Sequence, residues 1–286
     1  MLEGKYENAL NQLKRFRENA SRPNIVHHIE AKMIWCRFKL QPEKTPVVSD
    51  GSRSAFLTAA TIFASQKERG KALAMIRKGI RATQGEFPPQ PMPFFLKDFP
   101  ACNRLVQGIS PEANELRREY ETLMRLHKVA AAMIAFQKST GSFPKPVDDG
   151  KSWREQIVPS FELPETAAVV SEMFAVTQGS TKTPFVVVKG ADTAFPGDVA
   201  TTPGKRFYDG TANTMMIVAG PNEVEWNSTD DVTTEEFFRW RESATEGFYA
   251  ANCVGNVYWF PADFPMEQIR NFVNRQDRNR FVRPNE

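Results

Sequence analysis

Apolar residues recur at helical spacing through the first third of the chain. Tyr6, Leu10, Leu13 and Phe16 step by three and four, one face of a helix whose wet side carries Lys5, Lys14, Arg15 and Arg17. Ser21-Arg22-Pro23-Asn24 breaks it. Ile25, Ile29, Met33 and Leu40 outline a second helix, interrupted by Pro42 and Pro46. Asp50-Gly51-Ser52 predicts a turn, with Ser54 capping a third helix through Phe56, Ile62 and Phe63. A fourth runs from Lys71 to Arg81 on Leu73, Ile76 and Ile80. The run from Gly85 to Pro93, rich in proline, excludes regular structure. The pattern therefore predicts a mainly helical region over 1–105 and a second domain over 106–286.

Ser110-Pro111 followed by Glu112 and Glu115 is a helix start. Serine accepts the orphan amide hydrogens, proline has the helical φ already, and the acids suit the positive end. The helix is expected to run to Ser139 on a stripe of Leu116, Tyr120, Leu123, Ala130 and Ile134, widened later by Leu126, Val129, Met133 and Phe136, with Gly141 as its stop. Beyond it the period shortens. Phe185 to Val188, Thr214 to Val218, Phe248 to Cys253 and Val257 to Phe260 predict strands, the last two joined in a hairpin at Val254-Gly255-Asn256. Thr166 to Val176 and Met266 to Arg275 predict short helices. A long helix followed by short strands implies an α+β fold, the helix laid on an antiparallel sheet.

Several strings in this second region look familiar. Leu126 to Ala132, Thr140-Gly141-Ser142-Phe143-Pro144, Ser152-Trp153-Arg154 and Ile157 to Phe161 occur in that order. Asp209-Gly210-Thr211-Ala212-Asn213-Thr214-Met215, Val224-Glu225-Trp226 and Gly247 to Phe260 follow. From Pro111 to the end, the chain resembles a planctomycete pilin-like family, domain of unknown function 1559. The resemblance implies a pilin-type helix ending in a Gly-x-Phe-Pro turn and packed on a sheet. It also implies a structural or protein-interaction role without catalysis. The family begins with a prepilin leader and an apolar anchor helix; here Ser110-Pro111-Glu112 stands where that apolar half would lie.

Composition narrows the classes. The apolar share of 41% and charged share of 25% are those of a globular protein able to build its own core. A net charge of +3 gives no basic excess of the kind nucleic-acid binding needs. No stretch approaches the run of about 20 apolar residues that a membrane helix requires. The expected location is cytoplasmic as written, or the cell envelope if the sequence is a trimmed piece of a longer chain. The 3 cysteines, Cys36, Cys102 and Cys253, are far apart and form no CxxC pair, which excludes a zinc ribbon and points to small buried hydrophobes.

Candidate chemistry is sparse. His27-His28, with Glu30 and Cys36 nearby, point about 100° apart on a helix and chelate poorly. His127 lies among apolar helix positions without an adjacent nucleophile. Ser142-Phe143-Pro144-Lys145 matches Ser-x-x-Lys, but Gly141 and Pro144 predict a turn where that chemistry needs a helix. Trp153 and Arg154 read as a structural pair. The alternative is a carbohydrate- or peptide-binding module using exposed tryptophans, with Trp153, Arg154, Trp226 and Trp240 as its residues and Trp259 in support. Among the loop acids Asp192, Asp198, Asp209, Asp230 and Asp231, the grouping of Asp230, Asp231 and Glu235 is the best calcium candidate, though it lacks the alternating spacing of a calcium loop. Arg270, Arg275, Arg278, Arg280 and Arg283, interleaved with Phe272 and Phe281, form a basic tail read as a helix C-terminus stabilised by cations plus a frayed end, the alternative being a contact with an anionic partner or another subunit. The chain contains no GxGxxG, Walker A, HExxH or GxSxG motif. No cofactor is expected; a protein partner or self-association is.

Overall fold

The computed structural model describes residues 2–42, 44, 46, 48, 52–82, 96–161, 167–176, 179–197, 199–204, 207–279 and 281–284. The expected Asp50-Gly51 turn and the Gly85–Pro93 break lie outside the described residues. The chain divides into two compact units, one of Met1–Thr83 with Gln90–Tyr120, the other of Glu121–Glu286 with Gln84–Pro89. The division falls inside a continuous helix, whereas the composition break points to 105–106; a helix in mid-course carries no change of composition to mark it.

The first unit is helical. α1 (Leu2–Asn19) packs on α2 (Pro23–Leu40), α2 on α3 (Arg53–Ser65), and α3 on α4 (Arg69–Arg81). A further helix, α5 (Pro100–Gln107), crosses α3 and α4 and was not predicted from the pattern. The cap of α3 is Ser52, two residues before the expected Ser54: its Oγ accepts from the Ala55 amide at 3.2 Å. Small residues let these helices approach closely. Ala55, Ala59 and Ala60 of α3 are fully enclosed, and a Cβ on Gly79 of α4 would stand 3.2 Å from the Leu57 side chain. α6 (Pro111–Thr140) begins at Ser110, whose Oγ accepts from Ala113 N at 3.2 Å. Its first turns are tied to α4 by Arg77 on Glu115 and Glu119 and by a two-pronged Arg81–Glu119 pair.

The second unit is α+β. The later half of α6 buries Leu123, Leu126, Val129, Ala130 and Met133, and the helix ends at Gly141 with φ +83°. There follow β1 (Val147–Asp148), β2 (Lys151–Ser152), α7 (Trp153–Ile157), α8 (Ala167–Phe174), β3 (Lys182–Val186) and β4 (Val188–Lys189). Next come β5 (Met215–Glu225), β6 (Val232–Thr233), α9 (Thr234–Ser243), β7 (Phe248–Asn252), β8 (Val257–Phe260) and α10 (Met266–Val273). β3, β5, β7 and β8 form an antiparallel sheet in the order β3-β5-β7-β8. β4 and β6 pair in parallel beside it. α9 falls where the pattern carries no expectation, although Thr233 and Glu236 form a complete capping box at its start.

Alternation sorts the sheet's residues. The row Val186, Val218, Ala250 and Tyr258 faces α9 and α10 in one core with Phe237, Ile269 and Phe272. The row Ile217, Ala251 and Val257 faces the other way and is equally buried. Ile134 of α6 reaches to 3.6 Å from where a Gly255 Cβ would sit, at the β7–β8 turn. A column of rings crosses the first core: Phe248 on Phe260 at 4.9 Å, Phe260 on Phe272 at 5.3 Å, Phe272 on Phe281 at 4.3 Å. Two described residues of the basic tail are anchored to the fold. Phe281 is buried, and Arg275 is enclosed with its Nε on the Thr193 carbonyl at 2.6 Å.

All three cysteines are buried, and burial pushes each thiol above its ordinary range. An aromatic disulfide reagent at about pH 8 should leave the native protein untouched and titrate all three thiols only after unfolding in guanidinium. Rapid reaction of any native thiol would show that it lies at the surface.

Candidate functional site

The segment around Trp153 is built locally before it is tied to anything distant. Asp149 and Gly150 take φ of +49° and +75°, which closes the two-residue β1–β2 hairpin. Ser152 then caps α7: its Oγ accepts from Glu155 N, and Glu155 returns a carboxylate oxygen to Ser152 N at 2.8 Å. This places Trp153 and Arg154 in the first helical turn, both fully enclosed.

Arg154 spends its donors on two segments distant from it in the chain. Nε and Nη2 donate to the Phe185 carbonyl at the end of β3, at 3.0 and 2.8 Å. Nη1 donates to Ser228 O at 2.9 Å, and Nη2 also to Asp230 O and to Asp231 Oδ1 at 2.9 Å. Asp231 Oδ1 accepts as well from Trp153 Nε1 at 3.1 Å and Val187 N at 3.0 Å. The guanidinium lies 4.7 Å from the Trp153 ring centre. Burial dominates both ionised groups, pushing Asp231 above the usual carboxylate range and Arg154 below the usual guanidinium range. Among the described residues, Asp231 Oδ2 is buried with no hydrogen-bond partner.

The candidate tryptophans fall into separate surroundings. Trp153 and Trp226 meet through Phe174, edge-on at 6.3 Å and stacked at 5.8 Å. Trp240 packs on Phe237 and Phe248, and Trp259 on Tyr249 at 4.7 Å. Trp153 offers no free face to a ligand and Arg154 no free donor edge; Trp226, Trp240 and Trp259 are half-buried. A cleft of about 310 Å³ in the second unit is walled by Asp192, Thr234, Phe238, Arg270, Asn274 and Asp277, and one of about 200 Å³ in the first by Arg69, Leu73, Arg77 and Glu112. None of these tryptophans lines either cleft.

The calcium candidates are not gathered. Asp231 faces Arg154, Asp230 is exposed, and Glu235 pairs with Arg239 at 2.6 Å on α9. Among the described residues no three His, Cys, Asp or Glu side chains are grouped to hold a metal ion. Asp198, Arg280 and the side chain of His27 lie outside the described residues; His28 is exposed. Ser142 lies past the end of α6, and Lys145 pairs with Asp148 at 2.8 Å. His127 is buried in α6, where desolvation lowers its pKa to about 4. The hairpin that positions Trp153 was missed in the pattern, although Asp149-Gly150 is its standard signal. Compared with known proteins, the chain matches no family model, no curated protein and no solved structure.

Two outcomes follow. Arg154→Met or Asp231→Leu alone strands a buried charge and should cost about 3–5 kcal/mol in urea unfolding, while the double variant should lose clearly less than the sum. Strict additivity would mean the two groups do not act as a pair. For His127 the folded pKa lies below the unfolded one. The unfolded chain alone takes up the proton as pH falls from 6.5 towards 4, so stability drops across that window by up to about 3 kcal/mol. His127→Gln should flatten that part of the stability profile relative to the parent; an unchanged difference curve would refute the assignment.

Proposed function

We propose that this chain is a non-enzymatic structural or protein-interaction protein of the pilin-like kind that its second region resembles. A thirty-residue helix ahead of an antiparallel sheet supports the pilin-like part of the reading. No helix among the described residues is long and apolar enough to cross a membrane, so association rests on surfaces of the folded units.

The observation that carries the interaction role is α1. Its stripe of Tyr6, Leu10 and Leu13 is only half-buried, Phe16 is 63% exposed, and no described α1 side chain is fully buried. An amphipathic helix left this open retains apolar area that burial against a second surface would remove from water. The strongly perturbed groups support the non-catalytic part. His127, Arg154 and Asp231 are buried and line neither of the two clefts described above.

The test is solution mass by light scattering over a concentration series, with and without calcium. A discrete or growing assembly is expected, weakened about tenfold or more by Phe16→Glu. A strict monomer at every concentration, indifferent to that substitution, would count against self-association and shift attention to the half-buried Trp226, Trp240 and Trp259 as glycan or peptide contacts. Reproducible substrate turnover lost on mutating a cleft residue would overturn the non-enzymatic reading.

A further inference from the structure

β3 ends its sheet, with β5 on one side of it. The backbone groups on the other side are those a further strand would take. Phe185 lies in β3 and Val187 just beyond it, two residues on, so their backbone groups point the same way. Phe185 N donates to Thr183 Oγ1 at 3.1 Å, and Phe185 O accepts from Arg154 Nε and Nη2 at 3.0 and 2.8 Å. Val187 N donates to Asp231 Oδ1 at 3.0 Å. None of these bonds goes to β5.

A carbonyl at one residue and an amide two residues on are the two groups that a single residue of a parallel neighbour engages, one with its N–H and the other with its C=O. β6 is such a neighbour to β4, with Val232 against Val188 and Thr233 against Lys189. The same register carried two residues back would set Asp230 against Val186. The ladder starts only at Val232, however, and the Arg154 guanidinium and the Asp231 carboxylate supply the donor and the acceptor in place of that residue's backbone. The guanidinium also holds the preceding loop beside the edge, through Ser228 O at 2.9 Å and Asp230 O at 3.4 Å.

We propose that the Arg154–Asp231 pair shuts this edge of the sheet against strand addition by a second copy of the chain. The run behind it, Phe185-Val186-Val187-Val188, is uncharged, and its three valines are β-branched, a composition that pairs readily with other chains. Removing the pair bares Phe185 O and Val187 N together and releases the loop held beside them.

Light scattering over a concentration series, with hydrogen exchange on the same samples of the full chain, tests this. Every variant carries Phe16→Glu, so that association through α1 is weakened equally in all and the Phe16→Glu chain is the reference. Arg154→Met with Asp231→Leu should associate at concentrations about tenfold or more below the reference. The β5 and β7 amides should keep their protection, and those of Phe185 and Val187 should gain it as concentration rises. Asp231→Asn leaves Oδ1 as the acceptor for Val187 N and should associate no more than the reference. Arg154→Lys keeps a charge facing Asp231 but has no fork to reach Phe185 O and the loop carbonyls together. It should associate more than the reference, and it carries the test if the double variant does not fold. The guard is overturned if the natively folded double variant, or Arg154→Lys in its place, associates no more than the reference. It is equally overturned if Asp231→Asn associates as strongly as the double variant, or if association comes with loss of protection in β5 and β7, since unfolding and not an opened edge would then drive it.

Discussion

The second unit depends on one enclosed guanidinium. Arg154 is the point at which the Ser152 hairpin, the end of β3 and the Ser228–Asp231 loop are held together, and every one of those attachments ends on a backbone carbonyl or on Asp231. Backbone carbonyls in irregular segments need donors once buried, and a single arginine reaches several at a distance a hydroxyl or amide cannot span. Its charge is matched by one carboxylate whose Oδ1 also gathers the Trp153 indole and the Val187 amide. The arrangement fixes geometry more than it adds stability, because both ions have left water.

The helical unit solves a different problem. Its elements touch mainly their neighbours in sequence, and alanines with one glycine allow α3 and α4 to meet closely. α1 packs on α2 with its apolar stripe half-buried and Phe16 exposed.

Periodicity made the helices legible. The faces of α2, α3, α4 and α6 were visible as steps of three and four, and Ser110 and Gly141 marked the ends of α6 because capping is local chemistry. The sheet strands were visible as β-branched and aromatic runs, while β5 proved much longer than expected, continuing through Gly220 and Pro221. What was not legible depends on distance in sequence. Asp231 reads as a loop acid until Arg154, far away in the chain, is brought to it. Arg275 reads as one cation of an exposed tail until the Thr193 carbonyl is placed beside it. α9 and the Asp149-Gly150 hairpin are different: their signals were present and were outweighed by the surrounding polar residues.

The column of Phe248, Phe260, Phe272 and Phe281 links β7 to a residue placed well after it in the chain. During synthesis the sheet strands emerge first, but the last ring of the column is still inside the ribosome. The ring column of this unit is complete only once Phe281 has followed the strands, and until then the outer face of Phe272 lacks its stacking partner.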